Sequence, residues 1–362
     1  MCIRDRFYTE RDLERNEGKR KAIKDTLSNL EVSTPWDRFL PIMKKAFKSK
    51  APKAPGGRPA FPLLVMLKIL VLQRIYNLSD EQMEYQILDR NSFKDFLDLK
   101  PDASVPDEKT IWYYRNQLAQ KNCDQELFFA FDAFLQEQGK IVKQGVLVDA
   151  SFIEVPKAHL TKEEKAATKA EESELEEEKA EDKPEETPKT SKEIHRTSQM
   201  DRDARWTKKH GKSYFGYKDH VKVDAKSKLI TGYKVTPASV NDSPVLPELI
   251  KPQTEKGQEV YGDKGYTSDN NSVYLRANMM KDRILKKGVK GRPLTEEEEK
   301  NNAVLSKVRA RVEHVFGFME NTMNGMRLRA KGLIRISFIT GMMNLTYNIM
   351  RYEYLCRGRS AL

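Results

Sequence analysis

Cysteine is scarce in this sequence. Only three cysteines occur in 362 residues, at Cys2, Cys123 and Cys356. They are scattered and odd in number, so they form neither a disulfide framework nor a CxxC zinc motif. This excludes the small disulfide-stabilised folds and favours a reducing compartment, so we expect a cytoplasmic protein.

Long apolar runs are also missing. The longest, residues 63–72, spans ten residues and contains Lys68. A bilayer span needs about 20 apolar residues, so this run predicts a buried core helix and no membrane partner. The first seven residues, MCIRDRF, lack the apolar stretch of a signal peptide.

Outside one segment, basic residues clearly outnumber acidic ones. Residues 161–194 contain seven lysines and thirteen acids, a net charge of −6, and the whole chain carries +11, so the remainder carries +17. Such a basic surplus favours a polyanionic partner. The surrounding stretch, 157–199, is rich in Lys and Glu and has no aromatics, which predicts a disordered acidic insert.

Sequence patterns divide the chain into helical and mixed regions. Residues 1–54 form a charged helical segment that ends at a cluster of Pro and Gly, and 55–139 follow the spacing of amphipathic helices. Residues 140–354 mix β-rich runs with helices, and 355–362 form a tail. The fold class is therefore α+β or α/β, with an all-α N-terminal domain before an α/β domain.

Local signals set the element boundaries. The predicted helix N-caps are Ser79, Asp107 and Thr295, and Thr295 forms a capping box with Glu298. Strands are expected at 146–155, 214–223, 229–235, in the run leading to residue 263, and at 283–286. Further helices are expected near 247–250, at about 270–280, after residue 295 and at 338–354.

Three acids occupy unusual places. Asp149 interrupts an apolar strand, Asp263 ends another strand beside glycine, and Glu313 adjoins the apolar stripe of a helix. Buried carboxylates are costly unless they are paired or bind a metal. If the three converge, they form an all-oxygen site for two Mg²⁺ or Mn²⁺ ions, which supports phosphodiester chemistry. Alternatively, each Asp is an ordinary strand-end residue and Glu313 pairs with Arg309 one turn earlier.

The sequence around these acids resembles the DDE transposases of the bacterial insertion-sequence-five family, from about residue 55 to residue 354. The resembling stretches are GGRPAFPLLVMLKILVLQRIYNLSDEQMEYQILDR (56–90), VPDEKTIWYYRNQL (105–118), GVLVDASFIEVPK (145–157), DRDARWTKKHGKSYFGYKDHVKVDAKSKLITGYKVTPASVND (201–242), YGDKGY (261–266) and RARVEHVFGFMEN (309–321).

The resemblance implies a ribonuclease-H-like catalytic domain behind a helical DNA-binding domain. It implies that Asp149, Asp263 and Glu313 are catalytic and hold two Mg²⁺ or Mn²⁺ ions, with Arg309 one turn before Glu313. Two positions depart from related families, which often have tyrosine where Ser306 stands and lysine where Glu320 stands.

Basic side chains supply the candidate DNA contacts. Lysines interleaved with aromatics at 206–215 suit backbone contact and base stacking, although a solvated hairpin rim is equally compatible. A basic run without acids begins at residue 327, and the helix after residue 107 is a candidate recognition helix whose aromatics are more often core residues. The candidates are Lys109, Arg115, Lys208, Lys209, Lys212, Arg309, Arg311, Arg327 and Arg329.

Two further residues have supporting roles. Asp242 matches a family motif, but an N-cap of the following helix is the preferred interpretation. His314 adjoins Glu313 yet points about 100° away on the helix, which suits a supporting or DNA-backbone contact.

These features predict a transposase that binds double-stranded DNA at the terminal inverted repeats of its element. It would cleave and transfer strands as a homodimer on DNA, in the bacterial cytoplasm at the nucleoid. Two alternatives remain open: a non-catalytic or decayed DNA-binding protein, and a stand-alone nuclease with the same site.

Overall fold

The computed structural model describes residues 26–47, 60–157, 201–209, 211–288 and 291–357. Three predictions lie wholly or largely outside these ranges: the disordered acidic insert 157–199, the Pro/Gly linker, and most of the charged segment 1–54. The tail 355–362 is described only as far as residue 357.

The N-terminal region is helical, as predicted. A 3₁₀ turn at Trp36–Phe39 joins its first two helices. The helices are α1 (Thr26–Ser33), α2 (Leu40–Ala46), α3 (Leu63–Tyr76), α4 (Asp80–Asp89), α5 (Asn91–Phe96), α6 (Glu108–Gln120) and α7 (Cys123–Glu137). The apolar run of α3 is buried from Val65 to Gln73, which confirms the predicted core helix. Among the described residues, no helix has both the length and the hydropathy needed to cross a membrane.

The predicted N-caps are confirmed. Ser79 and Gln82 form a reciprocal capping box at the start of α4, and the Asp107 side chain accepts a hydrogen bond from the Thr110 amide at the start of α6. These contacts satisfy amide groups that have no partner within the first turn of a helix.

A six-stranded mixed sheet follows. Its strands are β1 (Val146–Glu154), β2 (Arg205–Lys209), β3 (Lys212–Asp224), β4 (Ile230–Pro237), β5 (Glu259–Gly262) and β6 (Lys281–Ile284). The order is β2-β3-β1-β5-β6, and β4 also pairs with β3. β3 is antiparallel to β1, β2 and β4, whereas β1, β5 and β6 run parallel. The last strand lies two residues earlier than the predicted 283–286.

Helices cover this sheet. Short helices α8 (Leu246–Leu249) and α9 (Pro252–Glu255) precede β5, and α10 (Asp269–Ala277) precedes β6. Two long helices, α11 (Glu296–Asn321) and α12 (Leu333–Arg357), end the described chain. Thr295 and Glu298 form the predicted capping box of α11. α11 packs across β1 and β5, which brings a helix face against the centre of the sheet.

One hydrophobic core joins the helical region to the sheet. α12 is buried over most of its length and packs against α3, α6 and α7 on one side and β4 on the other. The large core cluster therefore contains residues of the N-terminal helices, of β1, β3 and β4, and of α11 and α12. A smaller cluster lies on the opposite sheet face beneath α8 and α10. The predicted boundary at 139/140 stays a prediction, because the core is continuous across it.

Gly216 allows β3 to approach β1 closely. It has φ +147°, and a Cβ built on it would lie 2.0 Å from the carbonyl oxygen of Ile153. We expect Gly216→Ala to lower the free energy of unfolding by about 3 kcal/mol, since it combines backbone strain with overpacking. Chemical denaturation monitored by circular dichroism measures this change.

Gly317→Ala is the matched control. Gly317 lies inside α11, and a Cβ there meets no heavy atom nearer than 4.0 Å. This variant should be neutral or up to about 1 kcal/mol more stable, because alanine favours helix. Equal stability of the two variants would contradict the close approach at Gly216.

Candidate functional site

Asp149 and Asp263 occupy equivalent places on neighbouring parallel strands. β1 pairs with β5 up to Val148 opposite Gly262, so the next residue on each strand is an aspartate. Asp149 lies within β1 and is 9% exposed. Because paired strands lie about 5 Å apart, this register brings both carboxylates to one region. The two strands therefore supply the first half of the site.

Asp263 is oriented by the turn that follows β5. Its side chain accepts a hydrogen bond of 2.6 Å from the Gly265 amide. A Cβ built on Gly265 would lie 2.8 Å from Asp263 Oδ1 and 3.0 Å from Asp242 Oδ2. Glycine at 265 thus lets two carboxylates approach the same point, and Asp242 joins the site from the loop after β4.

Asp242 does not act as the helix N-cap that the sequence favoured. Its side chain makes no capping hydrogen bond to the 3₁₀ turn Ser243–Val245. Instead Asp242 Oδ1 accepts a hydrogen bond of 2.8 Å from Lys218 Nζ, which also donates to the Val240 carbonyl at 2.7 Å. The buried ammonium of Lys218 is a stronger partner for the carboxylate than a backbone amide, because both groups are charged.

Glu313 reaches the site through Arg309. On α11, Arg309 Nη1 donates to Asp149 Oδ2 at 2.6 Å, and Nη2 donates to Glu313 Oε1 at 2.9 Å. Arg309 is 22% exposed at its side chain, whereas Glu313 is 62% exposed. The guanidinium therefore connects a strand carboxylate and a helix carboxylate that lie 164 residues apart in sequence.

Burial sets the charge state of the site. It raises the pKa of Asp149 to about 6, and this effect exceeds the opposing attraction of Arg309. His220 is fully buried between the Tyr266 hydroxyl (3.3 Å) and the Thr236 hydroxyl (2.9 Å), and burial lowers its pKa to about 4. His220 is therefore neutral at pH 7, and Lys218 supplies the positive charge beside Asp242.

The side chains at this edge are suited to hard cations. Asp149, Asp242, Asp263 and Glu313 offer only carboxylate oxygens, the ligand type that Mg²⁺ and Mn²⁺ prefer. Within the described residues, no group of three or more His, Cys, Asp or Glu is arranged to hold a metal ion. Carboxylate oxygens are the donor type that suits a divalent cation, and in this arrangement Arg309 engages two of these carboxylates, Asp149 and Glu313.

A basic-aromatic surface flanks the site. It consists of Phe152 on β1 with Trp206, Lys209, Lys212 and Tyr214 on the β2–β3 hairpin. The rings of Phe152 and Tyr214 stack at 4.5 Å, and the ammonium groups of Lys209 and Lys212 lie 5.6 and 5.1 Å from their centroids. Trp206 is 56% exposed. Such a surface presents both charge and ring faces to solvent.

The remaining predicted contacts near the site are exposed. Lys208 lies on β2, His314 follows Glu313, and Arg327 and Arg329 follow α11. Arg327 pairs across a bridge with Glu154, and its Nε lies 3.8 Å from the Glu154 carboxylate. Arg311 donates to the Ala225 carbonyl at 2.9 Å, which ties α11 to the β3–β4 turn.

The predicted recognition helix α6 presents a different environment. Arg115 makes a two-pronged salt bridge with Asp80, in which Nη2 lies 2.6 Å from Oδ2. Lys109 lines a shallow depression with several acids. Trp112 and Tyr113 are about half exposed, so these two aromatics are not core residues, whereas Tyr114 of the same helix is buried in the core. DNA contact by Lys109 and Arg115 stays a prediction, and the structure adds an intramolecular partner for Arg115.

Sequence reasoning missed Lys218 and the role of His220. Both lie in β3, where the polar residues Lys218, His220 and Lys222 occupy alternate positions on one face of a buried stretch. That alternation was the available signal, because polar side chains on one face of a buried strand need partners. Asp219 points to the opposite face, where it bonds Asn344 of α12 and burial raises its pKa to about 7.

The fold and the site define an α/β protein with carboxylates grouped at one edge of a mixed sheet. Comparison with protein families agrees with this arrangement. The model described as "Transposase DDE domain" matches residues 140–349, and one described as "Transposase domain (DUF772)" matches residues 15–117. The chain belongs to the transposase DDE domain family. Membership of the insertion-sequence-five family stays a prediction.

Two solved structures show limited similarity. One is a piggyBac transposase synaptic complex with hairpin DNA, at 11% identity and a TM-score of 0.43, covering 93% of this chain and 77% of that chain. The other is the Mos1 strand transfer complex, at 8% identity and a TM-score of 0.19, covering 82% and 87%. Neither score is high enough to equate the folds.

The raised pKa of Asp149 makes stability depend on pH. Between the pKa values of Asp149 in the unfolded and folded states, the folded protein retains a proton that the unfolded chain releases. The stability that this proton contributes is fully present below about pH 4 and is lost as pH rises through about 6. We expect Asp149→Asn to raise the free energy of unfolding by about 1 kcal/mol at about pH 8. This gain is smaller than the free energy that corresponds to a shift of about two pKa units, because Arg309 loses a charged partner.

Denaturation curves at about pH 4 and about pH 8 measure this effect. The increase in the free energy of unfolding caused by Asp149→Asn should vanish at the lower pH. Asp102→Asn, in an exposed loop, is the control and should change stability equally at both values. A stability difference for Asp149→Asn that does not change with pH would contradict the assignment of Asp149 as a costly buried carboxylate.

Proposed function

We propose that this transposase-family protein binds the ends of its own mobile element and catalyses DNA strand cleavage followed by strand transfer. The observation that carries the proposal is the shared register of Asp149 and Asp263, together with the Arg309 link from Asp149 to Glu313. Two strands and one helix thus contribute the acids that the resemblance implied.

The sheet supports a ribonuclease-H-like catalytic domain. Its central strand β1 is antiparallel to β3 and parallel to β5, and β4 and β6 extend the sheet on either side. The helix α11 crosses β1 and β5, and its Arg309 bonds both Glu313 on the same helix and Asp149 on β1. This arrangement supports the proposal that the three acids form a DDE site.

We assign Asp149, Asp263 and Glu313 as the residues that hold Mg²⁺ or Mn²⁺, with two ions expected. When bound, such ions activate the attacking oxygen and stabilise the leaving oxygen of a phosphodiester. Other groups of the protein orient these carboxylates through hydrogen bonds. The Gly265 amide orients Asp263, and Lys218 holds Asp242 beside it as a supporting carboxylate.

The partner is double-stranded DNA, both at the element ends and at the target. The basic-aromatic surface lies beside Asp149 and offers ammonium groups for phosphates and ring faces for bases. Arg309, Arg311, Arg327 and Arg329 extend the positive charge along and beyond α11. Because two ends must be joined, we expect the protein to act as a homodimer on DNA.

Cleavage of a labelled element end tests the catalytic assignment. The substrate is duplex DNA taken from the sequence flanking the gene, incubated with the full-length protein and Mg²⁺. We expect Asp149→Ala, Asp263→Ala and Glu313→Ala each to reduce cleavage by about 10³-fold or more, since each removes a ligand of the cations that would stabilise the charge of the transition state. Gel analysis of cleaved and joined products provides the measurement.

Glu299→Ala is the matched control, because Glu299 is an exposed acid in the first turn of the same helix. It should retain wild-type cleavage. Cleavage without joining would favour a stand-alone nuclease, and binding without cleavage would favour a non-catalytic DNA-binding protein. Full activity of Asp149→Ala would refute the site.

The basic-aromatic surface makes a separate prediction about DNA affinity. Replacing Lys209 and Lys212 together with alanine should weaken duplex binding at all sequences. Each lost phosphate contact removes about 0.9 from the slope of log affinity against log salt, so the slope should fall by about 2. Fluorescence anisotropy across a salt series measures both quantities.

The double variant Lys281→Ala with Lys300→Ala has the same charge change at exposed positions away from this surface. Its salt slope should equal that of the wild type. Identical slopes for the two double variants would show that Lys209 and Lys212 do not contact phosphates.

A further inference from the structure

Arg309 occupies the position of a counter-cation for the catalytic carboxylates. Its two terminal nitrogens are both engaged, one by Asp149 Oδ2 at 2.6 Å and one by Glu313 Oε1 at 2.9 Å. Its remaining donor, Nε, is buried and has no acceptor among the described residues. Within the described ranges, the hydrogen-bond partners of the guanidinium are therefore these two acids.

Charge explains why this contact forms. Asp149 is nine-tenths buried, and an ionised carboxylate at such a site needs a compensating cation. Arginine is always protonated and its planar fork can contact two carboxylates at once. The other oxygen of Asp149, Oδ1, accepts from the Ala150 amide at 2.9 Å, so a divalent ion that binds Asp149 through Oδ2 has to displace the guanidinium. The guanidinium and the ion thus compete for the same ligands.

We propose that Arg309 is a positioning residue that closes the metal site in the free protein and opens it when DNA binds. This inference rests on the proposed function. A phosphate of the DNA end offers the guanidinium a two-pronged partner and gives Nε the acceptor it lacks. Arg309 then leaves Asp149 and Glu313, whose oxygens become free for the metal.

This exchange couples two binding events. If DNA removes Arg309 from the acids, DNA raises the affinity for metal, and metal raises the affinity for DNA by the same factor. Couplings of this kind typically amount to about 5- to 150-fold. The consequence is protective, because the free protein does not assemble a loaded nuclease before it reaches DNA.

Mn²⁺ binding to the full-length protein tests the proposal without measuring catalysis. Electron paramagnetic resonance of free Mn²⁺ gives the affinity of wild type, Arg309→Gln, Arg309→Lys and Lys307→Gln, each with and without a short DNA duplex. A sample of duplex alone corrects for Mn²⁺ bound by the DNA. Lys307 is the control, because it is an exposed cation two residues away on the same helix.

We expect wild type and Lys307→Gln to bind Mn²⁺ at least about 10-fold more tightly with DNA than without it. Arg309→Gln should bind Mn²⁺ tightly without DNA, and adding DNA should change its affinity less than about 2-fold. Arg309→Lys keeps the charge but cannot fork between two acids, so its affinity without DNA should be intermediate.

Two outcomes would overturn the proposal in distinguishable ways. If Arg309→Gln and wild type bind Mn²⁺ equally without DNA, Arg309 does not close the site, and the proposed function stands. If no variant binds Mn²⁺ with or without DNA, both the inference and the proposed metal site fail. Circular dichroism verifies folding, and Arg309→Lys decides the question should Arg309→Gln be unfolded.

Discussion

The cost of burying one carboxylate organises the candidate site. Asp149 lies within the central strand, where water cannot stabilise its charge, and burial raises its pKa to about 6. Arg309 of α11 supplies a compensating positive charge beside Asp149. The apolar face of α11 packs this helix against β1 and β5. The ion pair and the packing of α11 thus depend on each other.

A shared core places the helical region beside the sheet that carries the candidate site. α12 is buried against the N-terminal helices and against β4, so the two regions are packed into one hydrophobic cluster. Burying apolar surface on both sides of one helix stabilises their relative placement.

Local sequence signals predicted much of the fold and part of the site. The capping residues Ser79, Asp107 and Thr295 form their hydrogen bonds, because a cap depends on neighbours within a few residues. Asp242 was wrongly interpreted as a cap, since its actual partner, Lys218, lies 24 residues away in sequence. Arg115 was predicted to contact DNA, and the sequence did not indicate its salt bridge to Asp80. That salt bridge depends on the packing of α4 against α6.

The sequence by itself determined the basic balance of the chain, the alternation of its strands and helices, and the three acids placed where acids are unexpected. These are properties of composition and of short-range periodicity, which need no knowledge of contacts. Only the tertiary structure decided that Asp149 and Asp263 share a register, that Asp242 approaches Asp263 across Gly265, and that Arg309 joins Asp149 to Glu313. Those contacts depend on strand pairing and helix packing between distant segments, which local patterns do not encode.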